Sequence, residues 1–213
     1  MEFIAPSLFD YVVQHSQEEP QLLKDLTRET HLKVLQPRML SGPLQGRFLS
    51  LLAKLLSPKR ILEVGTFTGY ATLCLAEGLP KEGIIDTLDK NEELVDFQRI
   101  YFDRSPWGSQ IHQHLGNALD IIPQLNSTYD LIFLDADKKN YLNYLPLLLP
   151  KLNSGGLLLS DNVLWSGKVL EATQKNDEDT KILKAFNQEL ASHPALETVL
   201  LPLRDGLTLS RKI

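Results

Sequence analysis

The stretch ILEVGTFTGYATLCLA, residues 61–76, decides which fold the sequence predicts. It begins with the apolar residues of a short buried strand, turns at two glycines, and continues with the apolar spacing of a helix. Gly65 and Gly69 let the backbone turn sharply and approach a ligand. A strand, a glycine turn and a helix in this order form the first part of a βαβ unit.

The same alternation of short apolar runs and helical stretches continues along the chain. It predicts an α/β fold with right-handed βαβ units and a mostly parallel sheet. The last two apolar runs flank RDG, residues 204–206, and predict an antiparallel hairpin that closes one edge. The seven predicted strands cover 60–64, 83–89, 110–115, 129–135, 155–161, 195–202 and 206–211. The predicted helices cover 43–57, 68–78, 91–104, 117–125, 140–152 and 177–192, with one or two more in 7–35, broken near Pro20.

Length and composition limit the class of protein. The chain has 213 residues, which suits one domain, residues 1–213, with a helical N-terminal segment, residues 1–57, over the site. The formal net charge of −5 argues against nucleic acid as a partner. The single cysteine, Cys74, excludes an intramolecular disulfide and a CxxC metal site, and its apolar neighbours predict a buried thiol. Because we find neither a signal peptide nor an apolar run near the ~20 residues of a membrane helix, we expect a cytoplasmic protein with no membrane partner.

The carboxyl ends of the first two predicted strands indicate a nucleoside site, because ligands bind at these ends in such sheets. The first end carries Glu63 and the second carries Asp89, where a carboxylate accepts hydrogen bonds from ribose hydroxyls. The glycine spacing is G-x-x-x-G, not the G-x-G-x-x-G that holds a pyrophosphate at a helix N-terminus. Glu63 would repel a pyrophosphate, but it suits a ligand with a cationic end. S-adenosylmethionine has an ammonium, a sulfonium and no phosphate.

The third predicted strand end carries Asn117 and Ala118. Asn117 is a good helix N-cap. Its amide could equally bond an adenine edge, with Ala118 leaving room for the ring. Both interpretations stay open, because one residue can do both.

The fourth predicted strand ends in DADKK, residues 135–139, and the fifth ends in Asp161 and Asn162. If the two strands are neighbours, two carboxylates and one amide carbonyl can converge there. Such a set of hard oxygen donors suits Mg²⁺ first, with Mn²⁺ or Ca²⁺ as alternatives. A cation beside Lys138 would disfavour its ammonium form, as the role of general base requires. The alternative is a solvated strand end, with Lys138 and Lys139 as exposed cations that begin a helix. Asp137 could cap that helix or lie just outside the metal ligands.

Several separated motifs, taken in order, resemble the cation-dependent catechol and caffeoyl-CoA O-methyltransferases, which have the class I methyltransferase Rossmann-like fold. PRMLSGPLQGRFL at 37–49 is similar to the family's segment before the first strand, and ILEVGTFTGYATL at 61–73 to its cofactor loop. FLDADKKNYLNY at 133–144 and LLLSDNVLWSGKV at 157–169 are similar to its two metal segments. LPLRDGLTLSRK at 201–212 is similar to its closing hairpin.

This resemblance implies S-adenosylmethionine as methyl donor, a small phenolic acceptor of the catechol or caffeoyl type, a divalent cation and a homodimer. It implies Lys138 as the catalytic base and places Trp165 in a loop beside the acceptor. The metal ligands that it implies are Asp135, Asp161 and Asn162. The cofactor contacts that it implies are Met39, Ser41, Glu63, Gly65, Tyr70, Ala71, Asp89, Asn117, Ala118, Asp135 and Tyr144.

Two positions depart from the family pattern. Ala71 stands where relatives often have a serine that bonds the methionine carboxylate, and Arg204 stands where they often have a small residue. Two other functions compete with methyl transfer: a nicotinamide-dependent oxidoreductase on a similar sheet, and an S-adenosylmethionine-binding protein without catalysis. The glycine spacing and Glu63 argue against the first, and Lys138 with its complete ligand set argues against the second.

Overall fold

A computed structural model of the chain describes residues 4–172, 174 and 176–213. The strands are β1 (Arg60–Val64), β2 (Ile84–Asp89), β3 (Ile111–Leu115), β4 (Tyr129–Leu134), β5 (Leu152–Asp161), β6 (Leu196–Leu201) and β7 (Leu207–Lys212). The α-helices of these residues are α1 (Pro6–Gln14), α2 (Gln21–Lys33), α3 (Gly42–Leu56), α4 (Tyr70–Ala76), α5 (Val95–Arg104), α6 (Ala118–Ile121), α7 (Tyr141–Leu148) and α8 (Glu178–Ser192).

The strands form one sheet with the order β3-β2-β1-β4-β5-β7-β6. β2 is parallel to β1 and to β3, and β4 is parallel to β5. β7 is antiparallel to both β5 and β6. The predicted mostly parallel sheet with a closing antiparallel hairpin is therefore confirmed.

The chain divides into two compact units, residues 4–118 and residues 119–213. The first contains β1 to β3 with α1 to α5, and the second contains β4 to β7 with α7 and α8. The predicted single domain stays a prediction. No helix of the described residues combines the length and the apolar character that crossing a bilayer requires.

The core of residues 4–118 lies around β1 and α4. Ile61 and Leu62 of β1 are fully buried, and every residue of α4 is buried. α2 packs against α5 through the Tyr101 hydroxyl, which donates to the main-chain oxygen of Asp25 at 3.3 Å. Thr30 of α2 also contacts the glycine turn that follows β1, because its hydroxyl donates to Thr68 Oγ1 at 3.2 Å.

The core of residues 119–213 lies around β4, in which Leu131 to Leu134 are fully buried. A strand covered on both faces is expected to be continuously apolar rather than alternating. Several predicted helices are shorter than expected, and two of them end early where a proline follows. Instead of 117–125, α6 gives way to a 3₁₀ turn at Ile122–Gln124 that contains Pro123, and instead of 140–152, α7 gives way to a 3₁₀ turn at Leu149–Lys151 that contains Pro150. Proline removes a backbone donor and ends regular helix at these points.

Candidate functional site

The turn between β1 and α4 has the conformation that its glycines predict. Gly65 has φ 107° and Gly69 has φ 88°, both in a region that L-residues rarely adopt. The Gly65 N–H donates to the Leu88 main-chain oxygen of β2 at 2.9 Å, which fixes the start of the turn. A Cβ on Gly69 would lie 2.4 Å from Cε1 of Phe102, so the turn also passes close to α5.

Asp89, the predicted ribose acceptor, ends β2 and faces this turn. Its Oδ2 accepts from the Phe67 N–H at 2.7 Å, and its Oδ1 accepts from the Asn91 N–H at 3.0 Å. Phe67 has φ 50°, an unusual value for a bulky residue, and this hydrogen bond helps to hold it there. Asp89 lines a small crevice with Thr66, Thr87, Val95, Gln98, Gln113, His114 and Leu115. Each carboxylate oxygen has more than one acceptor site, so Asp89 can hold the turn and still accept from a ligand hydroxyl.

Glu63 is fully buried at the end of β1. Its Oε2 accepts from the Thr72 hydroxyl of α4 and from the Thr87 hydroxyl of β2 at 2.5 Å. Because Thr87 donates to Glu63, its oxygen is the acceptor for the Thr66 hydroxyl at 2.6 Å. The carboxylate is therefore held by two hydroxyls, from α4 and β2, and Thr66 of the glycine turn supports the second of them. Its contact with a cationic ligand stays a prediction.

Tyr70, a predicted cofactor contact, points into the helical packing. It is 2% exposed, and its hydroxyl donates to Glu19, which precedes α2. A Cβ on Gly46 of α3 would lie 2.6 Å from the Tyr70 ring, so the ring depends on the absence of a side chain there. Burial, and next the neighbouring Cys74, raise the pKa of the Tyr70 phenol, which keeps it protonated as the donor to Glu19. Its role toward a cofactor stays a prediction.

The other predicted cofactor contacts of residues 4–118 differ in exposure. Ala71 and Ser41 are buried, and Met39 lies in a 3₁₀ turn before α3 with 53% of its surface exposed. Ala118 is buried as the first residue of α6, and the preceding Asn117 is exposed. Asn117 and Ala118 therefore follow β3 where the sequence predicts them. They lie at the same end of the sheet as Asp89, because the Asp89 main-chain oxygen accepts from the Gly116 N–H at 2.8 Å.

A buried ion cluster, which sequence reasoning missed, holds α3 against the end of α4. The carboxylate of Glu77 accepts from Arg47 at 2.6 and 3.0 Å, from the Ser50 hydroxyl at 2.6 Å and from Lys54 at 2.7 Å. The Arg47 and Glu77 side chains are only 6% and 9% exposed. Burial opposes the charge of Glu77, but the hydrogen bonds from Arg47, Lys54 and Ser50 outweigh it and hold the pKa of Glu77 below its usual 4.5. The predicted buried thiol of Cys74 is confirmed, and burial raises its pKa to about 12.

In residues 119–213 the register of β4 and β5 brings the predicted metal ligands to neighbouring strand ends. Leu134 pairs with Ser160, so Asp135 and Asp161 each follow a paired residue. Asp161 is 1% exposed, and its Oδ1 accepts from the N–H of Asn162 at 2.8 Å. Asn162 has φ 59°, a left-handed conformation that asparagine tolerates better than most residues.

These three residues fit a hard divalent cation. Carboxylate and amide oxygens are the ligands that Mg²⁺ and Ca²⁺ prefer. Among the described residues, no group of three or more His, Cys, Asp or Glu side chains could hold a metal ion. A site here therefore needs the amide oxygen of Asn162 in addition to the two carboxylates of Asp135 and Asp161.

Lys138, the predicted base, is buried beside Asp135. Its side chain is 8% exposed, and Nζ donates to Asp135 Oδ1 at 3.0 Å and to the Tyr141 hydroxyl at 2.6 Å. The neighbouring Lys139 is exposed, as expected of a lysine at the start of a helix. Sequence reasoning missed this contact with Tyr141. Its position three residues after Lys138, one helical turn away, is the signal that could have found this hydrogen bond.

Tyr141 is completely buried at the first position of α7. Its hydroxyl lies 2.9 Å from the main-chain oxygen of Asp161 and 3.2 Å from that of Leu134, and it donates to these carbonyls. The ring packs edge-on against Phe186 of α8, with ring centroids 5.0 Å apart. Burial, followed by the charges of Asp135 and Asp161, raises the pKa of Tyr141 well above its usual value, so the phenol keeps its proton.

The prediction that Asp137 caps the following helix is wrong. Asp137 occupies the N-cap position of the 3₁₀ turn at Lys138–Asn140, but its side chain makes no cap hydrogen bond. Its carboxylate instead accepts from the Asn140 side-chain amide at 2.6 Å and from the Tyr144 hydroxyl at 2.7 Å. These closer side-chain donors take the oxygens that a cap would use. Tyr144, a predicted cofactor contact, is buried, and burial together with Asp137 raises its pKa.

The loop after Asn162 has an unusual backbone and is held by two hydrogen bonds to Asp205. Trp165, Ser166 and Gly167 have φ values of 48°, 54° and 83° in succession. The Asp205 side chain accepts from the Ser166 N–H, and the Asp205 main-chain oxygen accepts from the Leu164 N–H at 2.9 Å. The turn before β7 therefore fixes the loop that carries Trp165. The placement of Trp165 beside an acceptor stays a prediction.

Comparison with known proteins identifies the family. Residues 13–213 match the family model described as O-methyltransferase. The chain is 34% identical to caffeoyl-CoA O-methyltransferase 2 of Populus trichocarpa, over 97% of this chain and 89% of that protein. It superimposes with a TM-score of 0.89 and 28% identity on an O-methyltransferase from Bacillus cereus in complex with SAH, covering 97% of each chain. It superimposes with a TM-score of 0.88 and 26% identity on an SAH-bound methyltransferase from Podospora anserina, covering 100% of each chain. A family model that spans nearly the whole chain, and a relative of this similarity, show that the chain belongs to the O-methyltransferase family.

Proposed function

We propose that this protein transfers a methyl group from S-adenosylmethionine to a phenolic hydroxyl of a small catechol-like or caffeoyl-type acceptor, assisted by a divalent cation. The observation that carries the proposal is the buried amine of Lys138, 3.0 Å from Asp135 at the end of β4. An amine in this position has a chemical use in a methyltransferase, because methylation of a hydroxyl releases a proton that a general base must accept.

The glycine turn and Asp89 support the choice of methyl donor. Glu63 is a buried carboxylate fixed by hydroxyl donors, which suits a cationic ligand better than a pyrophosphate. Two of the similar solved structures contain SAH, the product that a donor of this kind leaves behind. The roles assigned to the individual cofactor contacts, from Met39 to Tyr144, are part of the same proposal.

Asp135, Asp161 and Asn162 would hold the cation, with Mg²⁺ first and Mn²⁺ or Ca²⁺ as alternatives. When bound, a cation at this place supplies positive charge that stabilises the oxygen anion of the acceptor. The protein itself contributes an ordered set of oxygens at two adjacent strand ends and a buried amine next to them.

Lys138 takes the proton of the acceptor hydroxyl. The acceptor oxygen forms a bond to the methyl carbon, the bond from that carbon to sulfur breaks, and the electron pair of that bond stays on sulfur. Most of the rate enhancement comes from positioning. When the acceptor oxygen is held in line with the methyl carbon, the transfer becomes a step within one complex instead of an encounter between two molecules. The proposal also includes a phenolic acceptor, a homodimeric assembly and a cytoplasmic location.

The test is Asp135→Ala assayed with S-adenosylmethionine and a catechol, with and without a chelator. We expect cation-dependent turnover to be lost while S-adenosylmethionine binding, measured by calorimetry, stays largely intact, because Asp135 would be one of three ligands of the cation but only one of eleven contacts to the cofactor. Asp130→Asn is the matched control, since Asp130 lies near the opposite end of β4 and bonds the Asn153 amide at 2.8 Å. If Asp135→Ala keeps full activity that a chelator cannot remove, the cluster at 135–139 is only a solvated strand end.

A further inference from the structure

We propose that Tyr141 is a positioning residue for the reaction, because its hydroxyl fixes the direction of the Lys138 amine and ties that amine to the ends of β4 and β5. This inference rests on the proposed function for its catalytic consequence. Its structural half, that the hydroxyl restrains Lys138, stands on the contacts of residues 119–213 alone.

The neighbours of the Tyr141 oxygen determine the direction of its hydroxyl proton. The Tyr141 oxygen lies 2.9 Å from the main-chain oxygen of Asp161 and 3.2 Å from that of Leu134. Carbonyl oxygens only accept, so the single proton of the phenol is directed to them and shared between them in a bifurcated hydrogen bond. Its own oxygen is then the acceptor for Lys138, at 2.6 Å. The direction of every bond in this chain is therefore determined by chemistry.

These hydrogen bonds restrain the Lys138 amine. Its Nζ has Asp135 Oδ1 at 3.0 Å and the Tyr141 oxygen at 2.6 Å. Two partners at different directions remove rotation about the last carbon–nitrogen bond, so the remaining tetrahedral direction at nitrogen is fixed in space. A long lysine side chain loses considerable rotamer entropy when it is held in one conformation. Here that entropy is lost when the protein folds, so it does not add to the barrier of the reaction.

Tyr141 is itself held in place by packing. The ring is completely buried and packs edge-on against Phe186, with an interplanar angle of 67°. Its hydroxyl joins the carbonyl that precedes Asp135 and the carbonyl of Asp161, which are the strand ends that carry two of the proposed metal ligands. One oxygen atom thus sets the position of the amine relative to both carboxylates.

The variant Tyr141→Phe removes only the hydroxyl and keeps the ring against Phe186. We expect kcat to fall about 10- to 100-fold, the usual effect of a misplaced catalytic group, while the KM for S-adenosylmethionine changes little. Tyr129→Phe is the matched control, because Tyr129 is equally buried but begins β4, at the end away from Lys138. The control should fold and keep the kcat of the wild-type protein.

A double variant distinguishes positioning from a general structural role. If Tyr141 acts through Lys138, the variant with both Lys138→Ala and Tyr141→Phe is no slower than Lys138→Ala alone. If the two losses multiply, Tyr141 contributes independently of the lysine and the proposal is wrong.

A measurement without catalysis separates this inference from the proposed function. The rate of acetylation of Lys138 by acetic anhydride is followed by peptide mass spectrometry, with the exposed Lys139 as an internal reference. We expect Tyr141→Phe to raise the rate at Lys138 severalfold and to leave Lys139 unchanged, because the freed amine reaches solvent more often. An unchanged rate at Lys138 would overturn the inference even if the protein is an active methyltransferase. If the protein transfers no methyl group but the rate rises, the structural half stands and the proposed function fails.

Should Tyr141→Phe not fold, Phe186→Leu replaces it. This variant keeps the hydroxyl but loosens the ring that carries it. A smaller rise in Lys138 acetylation, together with a smaller loss of kcat, supports the inference. No change in either quantity contradicts it.

Discussion

Replacement of Glu77 by alanine should destabilise the protein far more than a surface ion pair would. The Glu77 carboxylate accepts four hydrogen bonds, two from Arg47 and one each from Ser50 and Lys54. Removing it leaves the Arg47 guanidinium buried with its main partner gone, which typically costs about 3–5 kcal/mol. For a chain of this length, each kcal/mol of lost stability lowers the melting temperature by about 2–4 °C, so the melting temperature should fall by about 6–20 °C.

Circular dichroism during thermal and urea unfolding measures this loss. Lys54→Ala is the control, because Lys54 is 43% exposed and an exposed pair contributes about 1 kcal/mol or less. If Glu77→Ala destabilises the protein no more than Lys54→Ala does, burial of the Arg47–Glu77 pair does not make the loss of Glu77 costly.

The same cluster predicts a pH dependence. The pKa of Glu77 lies below its usual value of 4.5 in the folded protein, so its stabilisation is complete above that value and is lost as the pH falls through the folded pKa. The variant Glu77→Gln cannot titrate. The difference in free energy of unfolding between wild type and Glu77→Gln should therefore be constant at neutral pH and shrink below pH 4.5. A difference that stays constant down to about pH 3 would contradict the assigned cause.

Three further changes test the two strand-end sites and the glycine turn. Asp89→Ala should weaken S-adenosylmethionine binding by about 1.5–3 kcal/mol, the scale of hydrogen bonds to a charged acceptor, and unchanged affinity in calorimetry would remove Asp89 from the ribose role. Lys138→Ala should slow methyl transfer by about 10²–10⁴, with a defect that shrinks at high pH, where a catechol ionises without help. A defect independent of pH would mean that the lysine is not the base. Gly69→Ala should lower the free energy of unfolding by about 1–3 kcal/mol more than Gly42→Ala does. Both glycines have positive φ, but only a side chain at Gly69 would clash with Phe102. Equal losses of stability in urea unfolding would show that the clash relaxes.

The parts of the fold that the sequence predicts are those where a local pattern determines the structure. β1 has the predicted bounds, 60–64, because a short apolar run, interrupted only by Glu63, is followed at once by glycine. β5 begins at Leu152 and not at 155, since Leu152 pairs with Tyr129 across a register shift. Polar and glycine residues at 153–155 hide this extension, because their β-propensity is low and only the neighbouring strand holds them.

The contacts that the sequence does not reveal join residues far apart in the chain. Tyr70 bonds Glu19, 51 positions away, and Arg47 bonds Glu77, 30 positions away. No periodicity relates such residues, so only the packing of the helices brings them together. In contrast, Lys138 and Tyr141 are one helical turn apart, and their contact could have been predicted from spacing alone.

The cluster around Asp135 shows how far charge patterns can be interpreted. The adjacent positions of Asp135 and Asp161 follow from parallel neighbouring strands, and the register confirms that these strands are neighbours. The assignment of Asp137 as a cap failed because the Asn140 amide and the Tyr144 hydroxyl compete for the same oxygens. The side-chain geometry after α7 has packed decides from which donors the Asp137 carboxylate accepts, and the local sequence does not determine that geometry.

The most direct measurement is methyl transfer from S-adenosylmethionine to a panel of catechols, with and without a chelator, followed by mass spectrometry of the products. We expect one or more catechols to gain a single methyl group, the product to disappear when the chelator removes the cation, and added Mg²⁺ to restore it. If the protein binds S-adenosylmethionine but methylates no catechol, or if the chelator leaves the rate unchanged, the proposed cation-assisted transfer to a phenolic hydroxyl is contradicted.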